Sequence, residues 1–206
     1  MKHYFTALSA TALISLAPYA LASSTDLTVT GTITPQACTP GFSGGGVVDY
    51  GKLLVKNLNT TEPTELADRD LQLNLTCGAP RLVALRVIDN HPYLDIANYT
   101  YFGMRLTPAG EKPGYFFLNI TQTLADGASA QAIYSMDEGR TWKSASEIFR
   151  DELWSVSSTT DHTKPIMVNN ATMDLRIKTV IHPTDSLTLI DDFTLDGSVT
   201  FEVVYL

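Results

Sequence analysis

Hydrophobic and polar residues alternate along several segments of this chain. In four of them every second residue is apolar or glycine: 27–33, 71–76, 83–87 and 199–205. A period of two sends successive side chains to opposite faces, which is typical of a β-strand with one buried face. No segment shows a convincing helical period, and only residues 145–154 are compatible with a short helical turn.

Turn-forming residues separate these segments at short intervals. Gly, Pro, Asn, Asp, Ser or Thr are concentrated at 39–41, 44–46, 78–80, 89–92, 107–114, 126–127, 137–139, 182–185 and 196–197. Many short strands with such turns, and no amphipathic helices between them, predict an all-β fold of the immunoglobulin-like β-sandwich type. The 206 residues contain no linker or internal repeat, so we expect one folded domain.

The first residues predict export. Lys2 precedes an apolar stretch over 6–19, and small residues surround Ala22, which together form the pattern of a secretory signal peptide over 1–22. The apolar stretch is shorter than the roughly 20 residues that a membrane-spanning helix needs. We therefore expect the mature protein in the periplasm and then at the cell surface.

The cysteine content and the charge narrow the chemistry further. Cys38 and Cys77 are the only cysteines, and in an exported chain they are expected to form a disulfide. No histidines stand at zinc-ligand spacing, so neither a metal nor a cofactor is expected. With 22 acidic and 14 basic residues, the formal charge is −8, which argues against nucleic acid as a partner.

Two motifs that are typical of enzymes occur in the wrong context. Residues 41–45 fit G-x-S-x-G, but a Pro-Gly turn precedes them and a glycine run follows, where a nucleophile elbow needs a strand and a helix. Residues 46–52 fit G-x-x-x-x-G-K, but Leu53 stands where a phosphate loop needs Ser or Thr, and 47–50 read as a strand. Neither motif nominates a catalytic residue.

Residues 135–142 match the S-x-D-x-G-x-T-W box that recurs in sialidase-type propellers. The box occurs once, and it reads as a tight hairpin in which Asp137 caps the turn and Gly139 supplies a positive φ. In those enzymes the box is structural, so the match implies no catalytic residue. We expect that the protein is not an enzyme, and a glycan-active enzyme is the most remote alternative.

Residues 27–33 resemble the N-terminal extension of chaperone–usher pilins, with a glycine inside the alternation and Cys38 shortly after it. A pilin is an immunoglobulin-like domain that lacks its last strand, and the extension of the next subunit fills the gap. The resemblance implies an extension over 23–37 and a pilin-like domain over 38–206. Its donor strand would consist of Leu27, Val29, Gly31 and Ile33.

Residues 198–206 resemble the pilin strand that pairs with the periplasmic chaperone. The side chains implied in this pairing are Val199, Phe201, Val203 and Tyr205. Pilins usually carry a glycine ahead of this strand, and the nearest one here is Gly197. The implied partners are a periplasmic pilus chaperone, an outer-membrane usher and neighbouring pilin subunits.

Residues 37–40, 44–51 and 195–206 also resemble the GltF-type group of fimbria-like exported proteins. Together these resemblances predict a structural subunit of a chaperone–usher surface fibre, a fimbria or pilus, that polymerises by donor-strand exchange. One alternative stays open, namely a self-contained periplasmic or secreted binding protein. In that case the N-terminal strand would close its own sandwich.

Overall fold

The computed structural model describes residues 27–31, 37–92, 98–189 and 192–206. Contacts divide the chain into an N-terminal part, Met1–Thr34, and a folded domain, Pro35–Leu206. The predicted signal peptide over 1–22 lies outside the described residues. Of the N-terminal part, residues 27–31 are described, and they form no strand. No described helix has the length and hydropathy to cross a membrane.

The described part of the domain is built from β-strands and single turns of 3-10 helix. The 3-10 turns are Ser43–Gly46, Val55–Asn57 and Thr184–Ser186. The strands are β1 Cys38–Phe42, β2 Thr64–Glu65, β3 Arg69–Arg81, β4 Val83–Asp89, β5 Phe102–Gly103, β6 Gly114–Ala125, β7 Ala128–Ser129, β8 Gln131–Ser135, β9 Lys143–Ser144, β10 Leu153–Ser157, β11 Val168–Ile181 and β12 Val199–Tyr205. The all-β prediction is confirmed.

The strands form two antiparallel sheets. The first has the order β1-β3-β11-β6-β5, with β2 paired to β11 and β7 paired to β6. The second has the order β12-β4-β10-β8-β9. Strand β1 therefore lies at one edge of the first sheet, and β12 lies at one edge of the second.

One hydrophobic core joins the inner faces of the two sheets. The predicted inward positions are confirmed for β3 and β4, because Leu73, Leu75, Leu85 and Val87 are all buried. Trp154 of β10 is only 1% exposed within the same core. Burying large apolar side chains stabilises the fold by roughly 1.5–3 kcal/mol each, so this shared core is what holds the two sheets together.

The segment 145–154 contains no helix. The prediction of a short helical turn there is therefore wrong. Ile148 instead donates its N–H to the carbonyl of Leu118 at 2.9 Å, and β10 begins at Leu153. Ile148 is 1% exposed. Pairing with β6 satisfies the backbone here and buries the same apolar side chains, which explains why sheet structure prevails.

The predicted disulfide between Cys38 and Cys77 is confirmed, with an S–S distance of 2.01 Å. The two residues stand directly opposite each other in the antiparallel pair of β1 and β3. The bond therefore fixes the first residue of β1 to the middle of a long strand that belongs to the core.

We expect removal of the disulfide by the double substitution Cys38→Ala and Cys77→Ala to lower the free energy of unfolding by about 4 kcal/mol. The bond closes a loop of 39 residues, and chain entropy predicts a loss of about this size for such a loop. Urea unfolding of the oxidised protein and the variant measures the difference. Equal unfolding midpoints for the two proteins would contradict the expectation.

Candidate functional site

The C-terminal strand β12 has one partner strand among the described residues. It pairs with β4 from Val199 opposite Asp89 to Tyr205 opposite Val83. Its other side has no partner strand in the described ranges. Such an edge presents backbone N–H and C=O groups that can pair with another strand.

The alternation predicted for the C-terminal segment is present in β12. Val199, Phe201 and Val203 pack against the core, whereas Thr200 and Glu202 are exposed. Tyr205 differs from the first three, because its ring is largely exposed while its hydroxyl accepts a hydrogen bond from the Cys38 N–H at 2.8 Å. The structure thus places the four side chains on one strand but gives Tyr205 a different neighbourhood.

A groove of about 180 Å³, lined mostly by apolar residues, runs beside the unpaired side of β12; we call it the apolar groove. Its floor comes from the first sheet and includes Leu71, Leu118, Leu175 and Ile177. Val199 and Phe201 form part of one wall. None of the described residues that line this groove carries a charge, so it suits an uncharged occupant with apolar side chains.

The opposite wall is the segment 47–54, from which Val48 and Tyr50 line the groove. The Tyr50 hydroxyl donates to Thr179 Oγ1 at 3.0 Å, and the Arg69 guanidinium lies over the Tyr50 ring. The sequence predicts a strand over 47–50, but the segment pairs with no strand among the described residues. A segment with strand sequence and no ladder is a second potential partner for an added strand.

A second cavity of about 370 Å³ continues the groove, since Val48, Tyr50 and Leu195 line both. Most of its lining is apolar and includes Leu58 and Leu187. Lys52 and Asp192 also line it and form an ion pair at 3.3 Å, with both side chains largely exposed. The charges of this continuation therefore lie at its surface.

Gly197 lines the groove. A Cβ atom at this position would stand 2.6 Å from Cε1 of Phe116, closer than such atoms approach in proteins. Phe116 packs against both the main core and a smaller cluster around Met104, Ile181 and Leu187. The absence of a side chain at Gly197 thus allows the Phe116 ring to lie in the floor of the groove.

The predicted donor residues lie in the N-terminal part of the chain. The side chains of Leu27 and Val29 are 88% and 87% exposed. A Cβ atom added at Gly31 would have no other atom within 4 Å. Ile33 lies outside the described residues. Their role as a donor strand stays a prediction.

The S-x-D-x-G-x-T-W box forms the hairpin turn between β8 and β9. The Asp137 carboxylate accepts the Thr141 N–H at 2.8 Å and the Thr141 hydroxyl at 2.7 Å, and it also accepts the Ser135 hydroxyl. These hydrogen bonds, chiefly that of the Thr141 side chain, lower the pKa of Asp137 to about 2. Glu138 and Gly139 have positive φ angles. The Asp137 carboxylate thus stabilises the turn, as expected for a structural motif.

The remaining polar side chains do not assemble a catalytic or metal centre in the part of the chain that the structure describes. His162 Nδ1 lies 2.7 Å from the Ser144 hydroxyl, but its Nε2 contacts the Thr159 carbonyl and no carboxylate. Groups of three or more His, Cys, Asp or Glu side chains suited to a metal ion are absent from the same described residues. The groove is therefore the candidate functional site.

Comparison with known proteins supports the GltF resemblance. Residues 27–100 match the family described as "Protein of unknown function (DUF1120)". The chain is similar to Protein GltF of Escherichia coli strain K12, with 29% identity and 88% of each chain covered. It is also similar to Uncharacterized protein YhcF of the same organism, with 34% identity over 28% of this chain and 24% of that protein. None of these names refers to a pilin.

We expect Gly197→Ala to destabilise the domain by roughly 1–3 kcal/mol, because the added methyl group must displace the Phe116 ring within a packed region. Gly41→Ala is the matched control, since a Cβ atom there meets no atom within 4 Å. Urea unfolding of both variants tests the expectation. If Gly197→Ala is as stable as Gly41→Ala, the close approach to Phe116 does not constrain the fold.

The lowered pKa of Asp137 predicts a pH-dependent contribution to stability. Because its pKa in the folded state is about 2 and its ordinary value is 3.8, this contribution is present above pH 3.8 and is lost as the pH falls towards 2. We expect Asp137→Asn to reduce the acid dependence of the unfolding midpoint between these values. Asp185→Asn, at an exposed position, is the control. Identical acid profiles for the native protein and Asp137→Asn would contradict the assignment.

Proposed function

We propose that the protein is a structural subunit of a chaperone–usher surface fibre and that it polymerises by donor-strand exchange. The observation that carries the proposal is the uncharged apolar groove between the unpaired side of β12 and the unpaired segment 47–54. On this proposal the domain is an immunoglobulin-like sandwich that lacks one strand, and that strand comes from residues 27–33 of a neighbouring subunit.

The chemistry of the proposed donor matches the groove. Residues 27–33 contain no charged side chain, and the groove lining contains none among the described residues. Inward positions of the donor are Leu27, Val29 and Ile33, with Gly31 between them. A glycine in this strand suits a place where the donor backbone approaches the domain closely, and the Phe116 ring in the groove lining is one candidate for that place.

The energy available from such an exchange is large. Burial of Leu27, Val29 and Ile33 contributes roughly 5–9 kcal/mol at roughly 1.5–3 kcal/mol each. The net stability of a whole domain is about 5–15 kcal/mol. A subunit without its donor would therefore be marginally stable and prone to edge-to-edge association. This supports a chaperone that covers β12 in the periplasm and an usher that exchanges it for the donor of the next subunit.

A self-contained periplasmic or secreted binding protein is the second candidate. One observation favours it: the folded domain begins next to the groove, because the N–H of Cys38 is bonded to Tyr205 at the end of β12. The preceding residues of the same chain could then supply the missing strand. Such a protein would be a stable monomer without any chaperone.

We expect the mature protein, residues 23–206, to be unstable alone, to form a one-to-one complex with a periplasmic pilus chaperone, and to exchange this chaperone for a synthetic peptide of residues 23–35. Size-exclusion chromatography with light scattering measures each state. A peptide with Val29→Arg is the control, because a charge at an inward position is costly to bury in an apolar groove.

Deletion of residues 23–34 separates the two candidates. The donor-exchange subunit keeps its fold in the chaperone complex but cannot polymerise, whereas a self-closing domain loses its own strand and unfolds. A mature protein that is a stable monomer and indifferent to the peptide would refute the fibre proposal and support the second candidate.

A further inference from the structure

We infer that a strand bound in the groove pairs with β12 as far as Phe201 and no further, because the Tyr205 end of the groove is closed by a side-chain clasp. The clasp consists of two contacts between β1 and β12, namely Cys38 with Tyr205 and Phe42 with Phe201. This inference rests on the proposed function and specifies which part of β12 the partner strand occupies.

The first contact is the hydrogen bond from the Cys38 N–H to the Tyr205 hydroxyl, 2.8 Å long. It ties the first residue of β1 to the last residue of β12. Cys38 cannot move away easily, because its disulfide fixes it to Cys77 of β3. The gap between the two edge strands is thus bridged at this end by the phenol side chain.

The second contact lies four residues further along each strand. The rings of Phe42 and Phe201 meet edge to face, with their centroids 5.2 Å apart. The inward side chains of an added strand need space between β1 and β12, and here these two rings occupy it. Phe201 lines the groove, whereas Val203 and Tyr205 do not.

Beyond Phe201 the groove continues past Val199 and Gly197 to Leu195, which also lines the second cavity. Along this length neither 47–54 nor 192–196 belongs to a strand of the described chain. The Asp196 carbonyl accepts a hydrogen bond from the Arg105 N–H at 2.7 Å, and Gly197 bridges to Met104. An added strand therefore finds space beside 47–54 towards Leu195, and it finds none towards Tyr205.

The hydrogen bonds of β12 identify the backbone groups that face the partner. The carbonyl of Ser198 accepts from Asn90, and the N–H of Leu206 donates to Leu82, so the even-numbered residues face the β4 side. Because successive residues of a strand alternate in direction, the amides of Gly197, Val199, Phe201, Val203 and Tyr205 face the groove side. The inference predicts that the first three pair with the bound strand and that the last two do not.

Hydrogen exchange along β12, measured by NMR in the complex of the mature protein with the peptide of residues 23–35, tests this limit. After correction for intrinsic rates, we expect exchange at Gly197, Val199 and Phe201 to be slower than at Val203 and Tyr205 by roughly 2–10-fold or more, the range for one added hydrogen bond. In the double variant Phe42→Ala and Tyr205→Phe, which removes both contacts of the clasp, protection should extend to Val203.

Tyr134→Phe is the matched control, because it removes a phenolic hydroxyl on β8, away from β12. Its exchange pattern should equal that of the native protein. Peptide-induced protection of Val203 and Tyr205 in the native protein would overturn the inference while leaving the proposed function intact. If the folded native protein binds no peptide, the proposed function fails and the inference fails with it. The native pattern decides the question even if the double variant does not fold.

Discussion

The structure depends on one requirement of β-sheets: the backbone N–H and C=O groups of an edge strand need hydrogen-bond partners. Strand β12 satisfies one side through β4, and its other side has no partner strand among the described residues. In most sheets such an edge is covered, charged or shortened. Here it lies instead beside an apolar groove whose described lining carries no charge. This combination is the basis of the proposal that an added strand occupies the groove.

The disulfide has a specific part in keeping this arrangement. The groove exists only as long as its wall and its end stay in place, and β1 is a short edge strand with a glycine and a proline in it. The bond between Cys38 and Cys77 fixes β1 to the core through β3. Cys38 in turn meets Tyr205, so a covalent bond in one sheet also positions the edge of the other.

Local patterns in the sequence were sufficient to predict much of this fold. Alternation at Leu73, Leu75, Leu85 and Val87 identifies inward faces, because the period of two is a property of a single strand. The turn around Asp137 is likewise predictable, since the hydrogen bonds of the Asp137 carboxylate join it to the nearby Ser135 and Thr141. The helical turn that the sequence allows over 145–154 is absent, because the pairing of this segment with β6 outweighs any local preference for a helical turn.

The parts of the site that the sequence did not reveal join distant residues. Gly197 meets Phe116, and Tyr205 meets Cys38 across 167 positions. These contacts also bear on how the groove is filled. β1 begins at the clasped end, where the Cys38 N–H is bonded to Tyr205, whereas the groove extends from Phe201 the other way to Leu195. The clasp therefore separates the start of β1 from the part of the groove that the proposed donor strand would occupy.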